Sequence, residues 1–202
     1  MSFRTQPKSF IAALFISIGS MLCSQVVFAD WRLNTENSSL YYVTSKAAAV
    51  SELNSFAELS GSIGDDGRAR VDISLASVDT AIDIRNERMR DIVFQITTYP
   101  LATITMQTNG DRLNALKEGE SFSNSYAANV SLRGTDQVLG IDVVVTKLQG
   151  GGLLVVLAKP LIINAASFGL ADSVEQLREI AGLPSINNNV IVDFTLQFDA
   201  DN

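Results

Sequence analysis

From position 190 to 198 the chain alternates, Ile191 apart. Val190, Val192, Phe194, Leu196 and Phe198 fall on one side, and Asp193, Thr195 and Gln197 on the other. A period of two marks a half-buried strand. Residues 71–75 repeat the pattern, Ala102, Ile104 and Met106 alternate with Thr103 and Thr105, and Val130 and Leu132 sit between polar neighbours. Segments 40–46, 50–59, 139–148 and 153–163 bring the total to about eight predicted strands. Turn residues punctuate them at 64–67, 109–110, 134–136 and 150–152. This is an all-β pattern, and an antiparallel sheet of that size either closes into a barrel or folds into a sandwich. Val143, Val144 and Val145 are consecutive and 153–157 is wholly apolar, so the outer face of those strands is expected to lie under a helix or loop.

One segment breaks the period. Val174, Leu177, Ile180 and Ala181 form a helical stripe, opened by Asp172 and Glu175 in capping-box spacing and stopped by Gly182 and Pro184. This α-helix, just before the last strand, is expected to pack across one end of the sheet structure. A shorter helical piece is expected over 86–90. With no repeat, Pro-rich linker or low-complexity tract, residues 30–202 read as one domain.

The first 29 residues have a different character. Arg4 and Lys8 precede an apolar run over 10–18, and Val27-Phe28-Ala29 has the small-residue spacing of a signal-peptidase site. Residues 1–29 therefore read as a signal peptide, cleaved between Ala29 and Asp30. Gly19, Ser20, Ser24 and Gln25 interrupt the run, which argues against a membrane anchor. Leu22 stands where a lipid-modified Cys23 would need a small residue.

Composition then narrows the chemistry. The chain has 202 residues, no histidine, one cysteine and a net charge of −7. Loss of the leader removes Arg4, Lys8 and Cys23, so 13 basic and 22 acidic residues leave a charge of −9 and no thiol. Imidazole and thiol catalysis and histidine-ligated metals are excluded, and so is a basic nucleic-acid surface. Asp79, Asp83, Glu87 and Asp91 recur every four residues, but Arg85, Arg88 and Arg90 are interleaved with them, as on a solvated face. Asp65 and Asp66 lack calcium-loop spacing, and no phosphate-binding loop is present. No metal or cofactor is expected. An interior of Phe, Met, Ile and Val is either filled by its own side chains or holds a linear apolar ligand.

Several motifs resemble the YceI-like family. They are the opening Ser39-Leu-Tyr-Tyr-Val-Thr-Ser-Lys46 with Glu52, Phe56 and Ser60-Gly61, and the central Ala76-Ser-Val-Asp-Thr80, Ile84-Arg-Asn-Glu-Arg-Met-Arg90, Phe94 and Tyr99-Pro-Leu-Ala-Thr103. Val130-Ser-Leu-Arg-Gly134 and Phe168-Gly-Leu170 follow. The resemblance spans nearly the whole mature chain. It implies an eight-stranded antiparallel lipocalin-like barrel, exported to the periplasm, that binds a polyisoprenoid, quinone or similar lipid in its lumen and is not an enzyme. Many relatives carry histidines in the early strands and the arginine-rich stretch; here Lys46 and Met89 stand in those regions. The expected lumen contacts are Phe56, Ile73, Leu75, Phe94, Tyr99, Ile104, Met106, Val130 and Leu132, with Arg85 and Arg88 at the mouth near a headgroup. The rival readings are a dry-barrel accessory protein that binds a membrane redox partner, and an isoprenoid-modifying enzyme using carboxylate or tyrosine chemistry. A homodimer is a further expectation.

Overall fold

The computed structural model describes Met1 and residues 30–47 and 49–201. The leader expected to end at Ala29 falls outside this set, Met1 excepted. The strand segments are β1 (Asp30–Leu33), β2 (Ser39–Lys46), β3 (Val50–Phe56), β4 (Leu59–Ile63), β5 (Arg68–Ser74) and β6 (Val78–Asp79). They continue with β7 (Leu101–Gln107), β8 (Ser121–Leu132), β9 (Thr135–Lys147), β10 (Leu153–Leu157), β11 (Leu161–Asn164) and β12 (Asn189–Asp201).

Consecutive segments act together. On one side of β12, residues 198–201 pair with β1 and 191–195 with β2. On its other side, 195–198 pair with β10 and 189–192 with β11. Likewise β2 pairs with β3 while β1 pairs with β4, and β3 pairs with β6 while β4 pairs with β5. The segments therefore reduce to eight bent strands in chain order, all antiparallel, and β12 closes the ring onto β1 and β2. Closure removes the exposed edges that an open sheet would carry. The bends lie where side chains take over from the ladder. At the corner after β1, Thr35 Oγ1 donates to the Leu59 carbonyl at 2.6 Å and Ser38 Oγ accepts from the Gln197 N–H at 3.0 Å.

The longest hairpin, β8–β9, turns on Arg133 and Gly134, with φ of 50° and 72°. A two-residue turn with two positive φ values has the twist a tight hairpin needs. The expected turn at 109–110 is instead a helix start: Asn109 caps α2 (Gly110–Ala115), its side-chain oxygen accepting the Arg112 N–H at 2.9 Å.

Alternation correctly separates inside from outside, but the interior has two tiers. At the end bearing α2, Trp31 and Leu153 are fully buried, with Leu113 and Phe198 beside them. Trp31 Nε1 donates to the Gly151 carbonyl at 2.9 Å, and Lys147 Nζ lies 4.8 Å from its ring centroid. Side chains plug this end. The other end is roofed by α1 (Asp83–Arg88), the π-helical turn Met89–Phe94 and α3 (Ala171–Ile180).

Helix α3 appears where its apolar stripe predicts it, but the expected capping box does not form. The helix starts on Leu170, whose carbonyl takes the Val174 N–H, and this places Asp172 inside the first turn, where its charge favours the helix dipole. Glu175 reaches forward to Arg178 instead. At the other end Gly182, at φ 61°, donates to Glu179 and Leu183 donates to Arg178, a Schellman stop. Because α3 lies over the mouth, it does not cover the valine-rich wall as expected. Val144, Leu154 and Val156 face outward there, half-buried among their own neighbours.

Candidate functional site

Beneath the helical roof the barrel encloses a cavity of about 460 Å³. Ile73, Ile104, Val130 and Ile141 bound it toward the plugged end. Leu40, Phe56, Phe94, Val192 and Phe194 form its walls, and Met89, Val93, Leu170, Val174 and Leu177 its ceiling. Each wall residue is there because of strand parity: Leu40, Tyr42, Thr44 and Lys46 are successive inward positions of β2, as are Glu52, Asn54 and Phe56 of β3. Ile82 and Ile84 line the cavity and are also about half exposed, which marks its opening beside α1.

Polar groups gather at one place on this lining. Glu52 accepts from Lys46 Nζ at 2.8 Å and from Arg85 Nη1 at 2.5 Å. Arg85 Nη2 also donates to the Thr80 carbonyl, and Thr80 Oγ1 donates to Asn86 Oδ1 at 2.6 Å. The Arg85 hydrogen bond, helped by Lys46, holds the Glu52 carboxyl below its ordinary range against the opposing effect of burial. Deeper in, Asn54 Nδ2 bridges Thr44 Oγ1 and the Glu52 carbonyl, both at 3.2 Å. Deeper still, the Tyr42 ring stacks on Phe56 at 5.5 Å, and Phe56 meets Phe94 at 5.8 Å. Burial pushes the Tyr42 hydroxyl well above its usual value, with Arg85 pulling it down and Asp79 up.

An apolar sleeve with a few convergent polar groups at one end has room for an apolar molecule and offers hydrogen bonds to one terminus of it. The YceI-like domain model matches residues 31–198. The chain belongs to the YceI-like family. Among solved structures, a polyisoprenoid-binding domain from Saccharophagus degradans, implicated in plant cell wall breakdown, is 36% identical. That match covers 85% of this chain and 98% of the other, with a TM-score of 0.83. Burkholderia cenocepacia BcnA (17% identity, 82% and 98% coverage, TM-score 0.64) and the Campylobacter jejuni YCEI protein (19%, 74% and 84%, 0.53) share the fold. No curated protein matches the chain.

On this YceI-like barrel, seven of the nine expected lumen residues line the cavity: Phe56, Ile73, Leu75, Phe94, Ile104, Val130 and Leu132. Arg85 and Arg88 line it as well. Two do not. Met106 shares the inner face of β7 with Ile104 but lies one repeat nearer the plug, opposite Ala69, and packs into the core there. Tyr99 precedes β7, and its ring lies against the β8–β9 turn: a Cβ on Gly134 would stand 2.9 Å from Tyr99 Cε1. The sequence reading missed the polar inward positions Thr44, Lys46, Glu52 and Asn54, although alternation in 40–46 and 52–56 carried the signal. Of the evenly spaced acids, Asp79 accepts the Ala81 N–H at 2.8 Å, and Asp83, Glu87 and Asp91 are exposed. Among the described residues no cluster of three or more such groups is placed to hold a metal.

Proposed function

We propose that this YceI-like chain holds a long apolar lipid, of the polyisoprenoid or quinone class, in the cavity and carries or stores it in the periplasm after export. The observation that supports this most is the cavity itself: about 460 Å³ under the roof of an otherwise packed barrel, with an almost wholly apolar lining. Each methylene that leaves water for such a lining contributes about 0.8 kcal/mol, so a chain of several isoprene units binds without any titrating group. The polyisoprenoid-binding domain from Saccharophagus degradans, the relative with the higher identity, points to the same ligand class. Phe56, Ile73, Leu75, Phe94, Ile104, Val130 and Leu132 would contact the chain, and Arg85 and Arg88 would face its polar end.

Export is supported by the leader-like segment, with its basic start, its apolar run over 10–18 and the Val27-Phe28-Ala29 spacing. A barrel with this much enclosed space does not fit the dry accessory protein. The enzyme alternative would need an activated group in the lumen. Tyr42 and Lys46 both line it, but Lys46 is paired with Glu52, and burial makes Tyr42 hold its proton more firmly.

Lipid extraction and mass spectrometry of protein purified from a periplasmic fraction test the proposal. A long-chain isoprenoid in near-stoichiometric amount is expected. Protein that carries no lipid, and whose lipid-free form takes up no added isoprenoid, would refute it.

A further inference from the structure

Two buried polar atoms on the cavity lining have no hydrogen-bond partner among the described residues: the Tyr42 hydroxyl and Arg85 Nε. Asn114 Nδ2 and Asn188 Oδ1 share that condition, but neither residue lines the cavity. Buried polar groups are nearly always paired, so such an orphan calls for an explanation.

Neither group is free to seek a partner elsewhere. Tyr42 is 7% exposed, its backbone is held in the ladder between β3 and β12, and its ring is stacked on Phe56. The guanidinium of Arg85 is clamped by Glu52 on one terminal nitrogen and the Thr80 carbonyl on the other, which fixes the buried Nε in place without a partner. The register brings the two groups near each other: Arg85 is held on Glu52, the cross-strand partner of Thr44, and Tyr42 is the next inward position along β2. Both stand where the apolar sleeve meets the polar rim.

We infer that the Tyr42 hydroxyl and Arg85 Nε form a two-donor seat for a neutral oxygen at one end of the bound chain, so that the ligand is an isoprenoid alcohol or carbonyl compound and not a hydrocarbon or a diphosphate. The inference rests on the lipid-holding reading above. Neutrality follows from the surroundings. The phenyl rings of Phe56 and Phe94 around Tyr42 offer a charged group no solvation, so a diphosphate would stay at the rim with Lys46 and Arg88 and not reach this seat. A carbonyl or hydroxyl oxygen accepts both donors and brings no charge into the sleeve.

The test uses lipid-free protein and three probes with one C20 skeleton: phytol, phytane and phytyl diphosphate. Binding is measured for the wild type, Tyr42→Phe and Arg85→Lys, the latter keeping a cation beside Glu52 but removing the Nε donor. Each variant should lower the ratio of phytol to phytane affinity by about five- to tenfold, the range of one or two hydrogen bonds. Lipid-free Tyr42→Phe should melt no lower than the wild type, because the hydroxyl it loses is unpaired. Unchanged ratios in both variants, with both neutral probes still bound, would overturn the seat and leave the lipid-holding reading standing. Tighter binding of phytyl diphosphate than of phytol would overturn the neutral class. A lower melting temperature for Tyr42→Phe would show a structural partner and overturn the assignment. If the wild type bound no probe at all, the lipid-holding reading would fall and this inference with it.

Discussion

Ala102→Phe should separate stability from binding. Ala102 is 6% exposed, sits opposite Ile73 on the inner face of β7 and lines the cavity one inward position nearer the roof than Ile104. A benzyl group there projects into empty apolar space and not into a packed core. Burying on the order of 100 Å² of it contributes about 2.5 kcal/mol at 25 cal/mol per Å². Rotamer and backbone adjustment takes back about 1–2 kcal/mol, so the lipid-free variant should be as stable as the wild type or about 1 kcal/mol more stable. The same ring occupies space that the ligand would use. Displacing about five methylene equivalents at 0.8 kcal/mol each removes about 4 kcal/mol of binding, roughly a thousandfold in Kd. Urea denaturation of lipid-free protein and titration with phytol read the two quantities separately. A variant that binds phytol as tightly as the wild type would refute the placement of the ligand. A marked destabilisation would show that the space beside Ala102 is already filled.

Three further outcomes follow from groups described above. Lys147→Met should stabilise the protein by about 1–2 kcal/mol at neutral pH, because burial lowers the Lys147 pKa and a charged amine there has only the Trp31 ring and the Leu113 carbonyl for company. With the folded value depressed, the wild type gains stability as pH rises toward the ordinary lysine value of 10.5, so the variant's advantage in urea titrations should shrink over that range. Glu52→Gln should cost about 1 kcal/mol at neutral pH, after allowance for side chains about a quarter exposed. Because the Glu52 pKa is lowered in the fold, the contribution is present above 4.5 and lost as pH falls through the folded value, so the two proteins should converge in acid denaturation curves. Gln95→Gly should raise the melting temperature slightly, by the equivalent of about 0.5 kcal/mol, since Gln95 ends the π-helical turn at φ 53°, a conformation that glycine adopts without strain.

Alternation made the barrel wall legible because burial on one face repeats at every second residue. It placed Val190 through Phe198 and Ala102 through Met106 with the correct side inward. Depth along the barrel has no such periodicity. Ile104 and Met106 look equivalent in sequence, yet one lines the cavity and the other packs in the plug. The bends that join β1 to β2 or β10 to β11 were equally hidden, since the hydrogen bonds that form them come from residues distant in sequence. Helix α2 is six residues long and too short to show a stripe. The polar rim was missed for another reason. Lys46, Glu52 and Asn54 occupy inward positions that would read as errors in a filled core, and only the cavity behind them explains why they are tolerated.

The plug around Trp31 makes the sleeve blind at one end. If the sleeve holds a lipid as proposed, the chain would enter tail first beside Ile82 and Ile84 and leave by backing out along the same path. The plug would block threading from one side to the other, so loading and unloading would compete for that doorway. On that proposal, a receiver of the cargo would meet this protein on its helical face and take hold of the ligand by its polar end, the last part to go in and the first to come out.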